Sequence, residues 1–137
     1  MMKNKDVWRI LLAEDDLISQ RVAMKRLEKS GFQPELAKDG TEAWNMFLNN
    51  HYDLVLMDLR MPGMDGLSLA RKIRSYEEKT TEHYTHIIGL SAHALEDMQQ
   101  ECLDAGMDMF LTKPIEPESI IAHVQRMLEK SDEAKPI

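Results

Sequence analysis

A chain of 137 residues, 43% of them hydrophobic, fits one globular domain and leaves little room for a second. Its net charge of −7 argues against nucleic acid or an anionic membrane as direct partner, since both call for a basic face. No apolar run approaches the roughly 18 residues that cross a bilayer. No apolar leader follows Met1-Met2-Lys3, and the one cysteine, Cys102, excludes an internal disulfide, so the expected setting is the reducing cytoplasm.

Five short apolar runs alternate with five amphipathic stretches. The first run, Trp8 to Ala13, is nearly continuous in apolar residues, as in a strand buried on both faces. Ile18, Val22, Ala23, Met24 and Leu27 then recur at helical spacing up to Ser30-Gly31, where Gly suits the position after a helix end. Gln33 to Ala37 reads as a second strand, and Pro34 assigns it to an edge of the sheet. Thr41 to Asn50 carries Ala43, Trp44, Phe47 and Leu48 on one side of a second helix. Leu54 to Asp58 is the third strand, and Leu67, Leu69, Ala70 and Ile73 mark the third helix. His86 to Ser91, a helix from Leu95 to Ala105 closed by Gly106, Asp108 to Thr112, and a helix from Glu118 to Glu129 complete the series. The 11 methionines are expected as core packing.

Strand and helix in strict alternation predict an α/β fold of three layers, with a five-stranded parallel sheet, right-handed crossovers and five helices. The flavodoxin-like strand order 2-1-3-4-5 is the expectation. The domain is expected over 8–129, with an N-terminal extension at 1–7 and a flexible polar tail at 130–137. No internal repeat, long linker or low-complexity segment interrupts it.

Open sheets of this kind bind ligands beyond the carboxyl ends of the strands. The first strand ends in Glu14-Asp15-Asp16 and the third in Asp58. Two like charges about 4 Å apart repel by roughly 4 kcal/mol at an effective dielectric near 20. A hard divalent cation such as Mg²⁺, or Mn²⁺ in its place, relieves that repulsion and leaves room for a phosphate oxygen. Asp16 is open to two readings, a third acid of the site or the N-cap of the first helix. Asp58 taken alone could be a turn residue. Ser91 ends the fourth strand and Lys113-Pro114 follows the fifth; a hydroxyl can donate to a phosphoryl oxygen and an ammonium can offset its charge. Pro114 also opens the possibility of a cis peptide.

The strings Ile10-Leu11-Leu12-Ala13-Glu14-Asp15-Asp16, Leu56-Met57-Asp58-Leu59-Arg60-Met61-Pro62-Gly63-Met64-Asp65-Gly66, Leu90-Ser91-Ala92 and Phe110-Leu111-Thr112-Lys113-Pro114 resemble receiver domains of two-component signalling, and are closest in flavour to those of hybrid histidine kinases. The resemblance covers about residues 8 to 129. It implies Asp58 as phosphoacceptor, Glu14, Asp15 and the Arg60 main-chain carbonyl as metal contacts, and Ser91 and Lys113 as catalytic partners. It further implies a cis bond before Pro114 and a switch formed by Ser91 and Phe110. Arg60 and His93 fall where the family tunes phosphoryl lifetime. Phe110 stands where Tyr is frequent, so a switch hydroxyl is absent; a plain core aromatic is the alternative.

By that resemblance the chain accepts a phosphoryl group from a phosphohistidine onto Asp58 and reshapes the face of its fourth helix, fifth strand and fifth helix. Its partners would be a sensor histidine kinase or histidine phosphotransfer protein upstream and an effector protein downstream. It would be a phosphoacceptor signalling domain, catalysing only its own phosphorylation and dephosphorylation. The alternative is a receiver-like interaction module that is never phosphorylated. A nucleotide or flavin site would want a Gly- or Ser/Thr-rich loop where Glu14-Asp15-Asp16 stands. An aspartate-nucleophile phosphatase would want an acid at the position of Arg60. His51, His83, His86, His93 and His123 show no metal-ligand spacing and are expected at the surface.

Overall fold

The computed structural model describes residues 8–80, 83–92 and 96–134. The expected extension at 1–7, His93 and the end of the expected tail at 135–137 lie outside the described residues. Ten elements alternate: β1 (Ile10–Ala13), α1 (Leu17–Lys29), β2 (Glu35–Ala37), α2 (Gly40–Asn49), β3 (Leu54–Asp58), α3 (Gly66–Thr80), β4 (His86–Ser91), α4 (Glu96–Asp104), β5 (Met109–Thr112) and α5 (Pro117–Ala134). All strand pairings are parallel and the sheet order is β2-β1-β3-β4-β5. The expected order holds, with β2 at an edge as Pro34 implied.

Side chains alternate across the pleat and divide the core in two. Leu11, Ala13, Val55, Met57 and Ile87 face α2, α3 and α4, joining Ala43, Phe47, Leu69, Ile73 and Cys102. Ile10, Leu12, Leu54, Leu56, Ile88 and Leu90 face the other way, onto Ala23 and Leu27 of α1 and Ile120 and Val124 of α5. Both faces of the central strands are therefore dry, which is why their sequences read as unbroken apolar runs.

Two sequence expectations need correction. Helix α1 buries Gln20, Ala23 and Leu27, while Ile18 is 74% exposed and Val22 40% exposed. Residues 20, 23 and 27 share one helical stripe and 18 and 22 another; only docking on the sheet chose between them. Helix α5 continues to Ala134 and takes in the first part of the expected tail. Once a helix is nucleated each further residue adds a hydrogen bond, and Glu, Lys and Ala propagate it well.

Glycine permits two close approaches around the sheet's carboxyl edge. A Cβ on Gly66 would stand 2.5 Å from the Asp58 carbonyl oxygen, and one on Gly40 would stand 2.0 Å from that of Met64. The starts of α3 and α2 can thus press directly on the loop that follows β3. Among the described residues no helix is long and apolar enough to cross a membrane.

Candidate functional site

Because β1 and β3 are neighbours in register, Ala13 against Met57, the residues that follow them emerge side by side. Glu14, Asp15 and Asp58 each place a carboxylate oxygen within 4.8 Å of the others, the one such acid cluster among the described residues. Glu14 is buried at 2% exposure, Asp58 is half-buried and Asp15 is exposed.

Lys113, at the end of β5, reaches across this edge. Its Nζ donates to Glu14 Oε1 and, at 3.1 Å, to Asp58 Oδ2. Its main-chain N–H donates to the carbonyl of Ser91 at 2.7 Å, and the Lys113–Pro114 peptide is cis. The remaining acid oxygens have weaker partners: Asp16 N–H donates to Glu14 Oε2 at 3.2 Å, and Arg60 N–H to Asp58 Oδ1 at 3.3 Å.

One ammonium does not balance three carboxylates. Burial pushes the Glu14 carboxyl up to about 7; the Lys113 hydrogen bond opposes the shift and the Asp58 charge adds to it. Burial works against the Lys113 ammonium, yet the bond to Glu14 and the charge of Asp58 hold its pKa above the ordinary lysine value. The cluster is thus a frustrated acid pocket whose charge a cation would complete, and its all-oxygen donors fit a hard divalent ion. A cavity of about 430 Å³ lined by Asp15, Leu59, Arg60, Met61, Pro62 and Asp65 opens beside it.

Asp16 is the helix cap: its side chain accepts from Ser19 N–H at 2.8 Å, and its carboxyl is held below the usual range by the Ser19 hydrogen bonds. Asp65 caps α3 in the same way through Ser68 N–H. Ser91 is buried at the end of β4, and Phe110 is half-buried on the core under α2, α3 and α4. Of the residues expected from the strand ends, the fold brings together Glu14, Asp15, Asp58 and Lys113, with Ser91 on the adjoining strand end. Gln20 and Arg26 of α1, which were not among those expected, bond to the carbonyls of Glu14 and Ile115. Gln20 had one visible signal, a polar side chain three residues before Ala23 on the stripe that continues to Leu27.

A second charged group forms at the opposite end of the sheet. Arg74 of α3 donates to the carbonyls of Gly106 and Thr85, to Glu77 and to Asp108, and its guanidinium lies 4.1 Å from the Tyr84 ring centre. His86, expected at the surface, is largely covered here. Its Nδ1 is 3.9 Å from Asp108 Oδ2, and burial lowers its pKa. A cavity of about 560 Å³, lined by residues of α2 and α3 together with His51, His83 and Thr85, is also at this end.

The sequence model of the response regulator receiver domain matches residues 10–125. A hybrid signal transduction histidine kinase, K of Dictyostelium discoideum, is 36% identical over 129 residues, which are 91% of this chain and 11% of that protein. The chain therefore spans about a ninth of that relative. The receiver domain of sensor histidine kinase PA1611 from Pseudomonas aeruginosa PAO1, solved with a magnesium ion in its active site cleft, is 35% identical with a TM-score of 0.76, over 89% of this chain and 98% of that one. A chain from the co-crystal of the Saccharomyces cerevisiae phosphotransfer protein Ypd1 and the receiver domain of its downstream response regulator Ssk1 is 26% identical with a TM-score of 0.80, over 92% of each chain.

Proposed function

This chain belongs to the response regulator receiver family of two-component signalling, and on that premise we propose that Asp58 accepts a phosphoryl group from a phosphohistidine. The donor would be a sensor histidine kinase or a histidine phosphotransfer protein, met in the cytoplasm, and the reader an effector protein. The observation that carries the reading is the unbalanced cluster of Glu14, Asp15 and Asp58 against Lys113, with Glu14 pushed up to about 7.

Asp15, Asp58 and the Arg60 carbonyl would hold Mg²⁺ or Mn²⁺, with Glu14 acting through water. When bound, the ion supplies charge neutralisation for the phosphoryl oxygens. Everything else falls to the chain. An Asp58 carboxylate oxygen forms the new bond to phosphorus as the donor's N–P bond breaks, and the released imidazole nitrogen takes up a proton. Lys113 offsets charge on the transferred group, and Ser91 donates a hydrogen bond to it. The acyl phosphate adds nearly two negative charges to the pocket. Drawing Ser91 inward leaves space for Phe110 to turn, which shifts the population of the α4, β5 and α5 face. The unit that does this is 8–129.

The test is Mg²⁺-dependent labelling by acetyl phosphate. Asp58→Asn should abolish it, and a variant that still labels would end the assignment. Lys113→Ala should label slowly and fail to transmit the change to α4; an undiminished shift of the α4 amide resonances would remove Lys113 from its role.

A further inference from the structure

Helix α1 rests on the sheet through Gln20, Ala23 and Leu27. Two of these are apolar and would dock the helix alone. Gln20, 7% exposed, is not, and a buried amide is costly unless bonded. Its Nε2 donates to the main-chain carbonyl of Glu14 at 2.7 Å, in buried surroundings. From the other side the Glu14 N–H donates to the Ala37 carbonyl at 3.1 Å. The backbone of Glu14 is thereby pinned between β2 and α1.

Six residues along the same helix, Arg26 Nη1 donates to the carbonyl of Ile115 at 2.8 Å. Ile115 is buried two residues beyond Lys113, just past the cis peptide. One helix therefore grips, by side chain, the backbone that carries Glu14 and the loop that carries Lys113, the two partners of the site's ion pair. Apolar packing is non-directional and tolerates sliding, whereas a hydrogen bond weakens steeply once its angle is lost. The two polar bonds are thus the contacts of α1 that can fix where these groups stand.

We propose that Gln20 and Arg26 are positioning residues, and that α1 is a brace setting the acid pair and Lys113 at the separation a metal ion and a phosphoryl group require. The inference rests on the proposed phosphoacceptor function. Gln20 serves the acid side and Arg26 the lysine side, so their variants should separate the two halves of the site.

The experiment is a Mg²⁺ titration followed by isothermal calorimetry, with acetyl phosphate labelling and, in the metal-free protein, hydrogen exchange at the Asp16 amide, which bonds Glu14. Gln20→Met, similar in shape but without the donor, should weaken Mg²⁺ about tenfold and speed Asp16 exchange more than its loss of global stability explains. Arg26→Met should leave the Mg²⁺ dissociation constant within about twofold and slow labelling about tenfold, with Arg26→Lys recovering part of the rate. Leu27→Ala, which loosens the same helix from its apolar face, should lower stability and leave the Mg²⁺ constant unchanged. Should Gln20→Met not fold, Gln20→Asn, one methylene short of the Glu14 carbonyl, replaces it. Wild-type Mg²⁺ affinity and Asp16 exchange in the Gln20 variant, or wild-type labelling in Arg26→Met, overturns the brace while the functional reading stands. Absence of Mg²⁺ binding in the wild-type chain overturns both.

Discussion

At the carboxyl ends of the strands three carboxylates face one ammonium, whereas at the amino ends Arg74 sits between Glu77 and Asp108 with all three guanidinium nitrogens bonded. Both groups are partly buried and both tie several elements together. The difference is closure. The Arg74 group joins α3, the start of β4 and the approach to β5, and its two carboxylates accept from Arg74, from the Tyr84 hydroxyl and from the Thr85 and Ile87 N–H groups, although His86 Nδ1 beside them has no hydrogen-bond partner among the described residues. The acid group sets three carboxylates against one ammonium, and burial pushes Glu14 up to about 7. A charged cluster the chain satisfies reads as structure, and one it leaves unbalanced reads as a binding site.

The sharpest way to break that comparison is to remove the centre of the satisfied group. Arg74→Met would strand Asp108, Glu77 and two carbonyls. It should cost about 3 kcal/mol of unfolding free energy, seen as a lower urea midpoint with an unchanged slope. Mg²⁺ affinity of the folded protein should not move. A loss under about 1 kcal/mol would mean that this end is not structural.

The two ends should also answer pH in opposite directions. Glu14 is raised in the folded state, so its share of stability is full below about 4.5 and is lost as pH rises through about 7. In metal-free protein this amounts to about 3 kcal/mol, and Glu14→Gln should remove the slope. His86 is lowered in the folded state, so its share is present above 6.5 and is lost as pH falls below that value. Urea unfolding of wild type, Glu14→Gln and His86→Gln across this range separates the two; slopes of one sign in both would contradict the contrast.

Mg²⁺ at ten times its dissociation constant should stabilise the wild type by about 1.4 kcal/mol. Asp15→Asn should lose most of that gain and Arg74→Met should keep it. Smallest of all, Asp16→Ala should shave stability slightly through the lost cap and leave Mg²⁺ affinity unchanged. A clear fall in affinity would restore Asp16 as a third acid of the site.

Much of the site could be read from the chain because it sits at strand ends. Glu14, Asp15, Asp58, Ser91 and Lys113 each follow an apolar run, and once those runs are parallel neighbours their successors must share an edge. Gln20, Arg26 and Arg74 were not legible in this way. Each bonds to a carbonyl, and a carbonyl leaves no mark on residue type. Ile18 and Val22 misled for a related reason. An apolar pair at helical spacing defines a stripe but not the side on which the helix docks.

What the sequence by itself determined is the alternation of strand and helix, the parallel order with β2 at the edge, and the gathering of acids and Lys113 at one edge. These follow from hydrophobic period and chain connectivity, which are local properties. Only the tertiary structure decided that Glu14 is the buried acid, that Asp16 caps a helix and leaves the pocket, and that α1 turns Gln20 inward. Those outcomes depend on which surfaces lose water when layers pack, and burial belongs to the assembled chain.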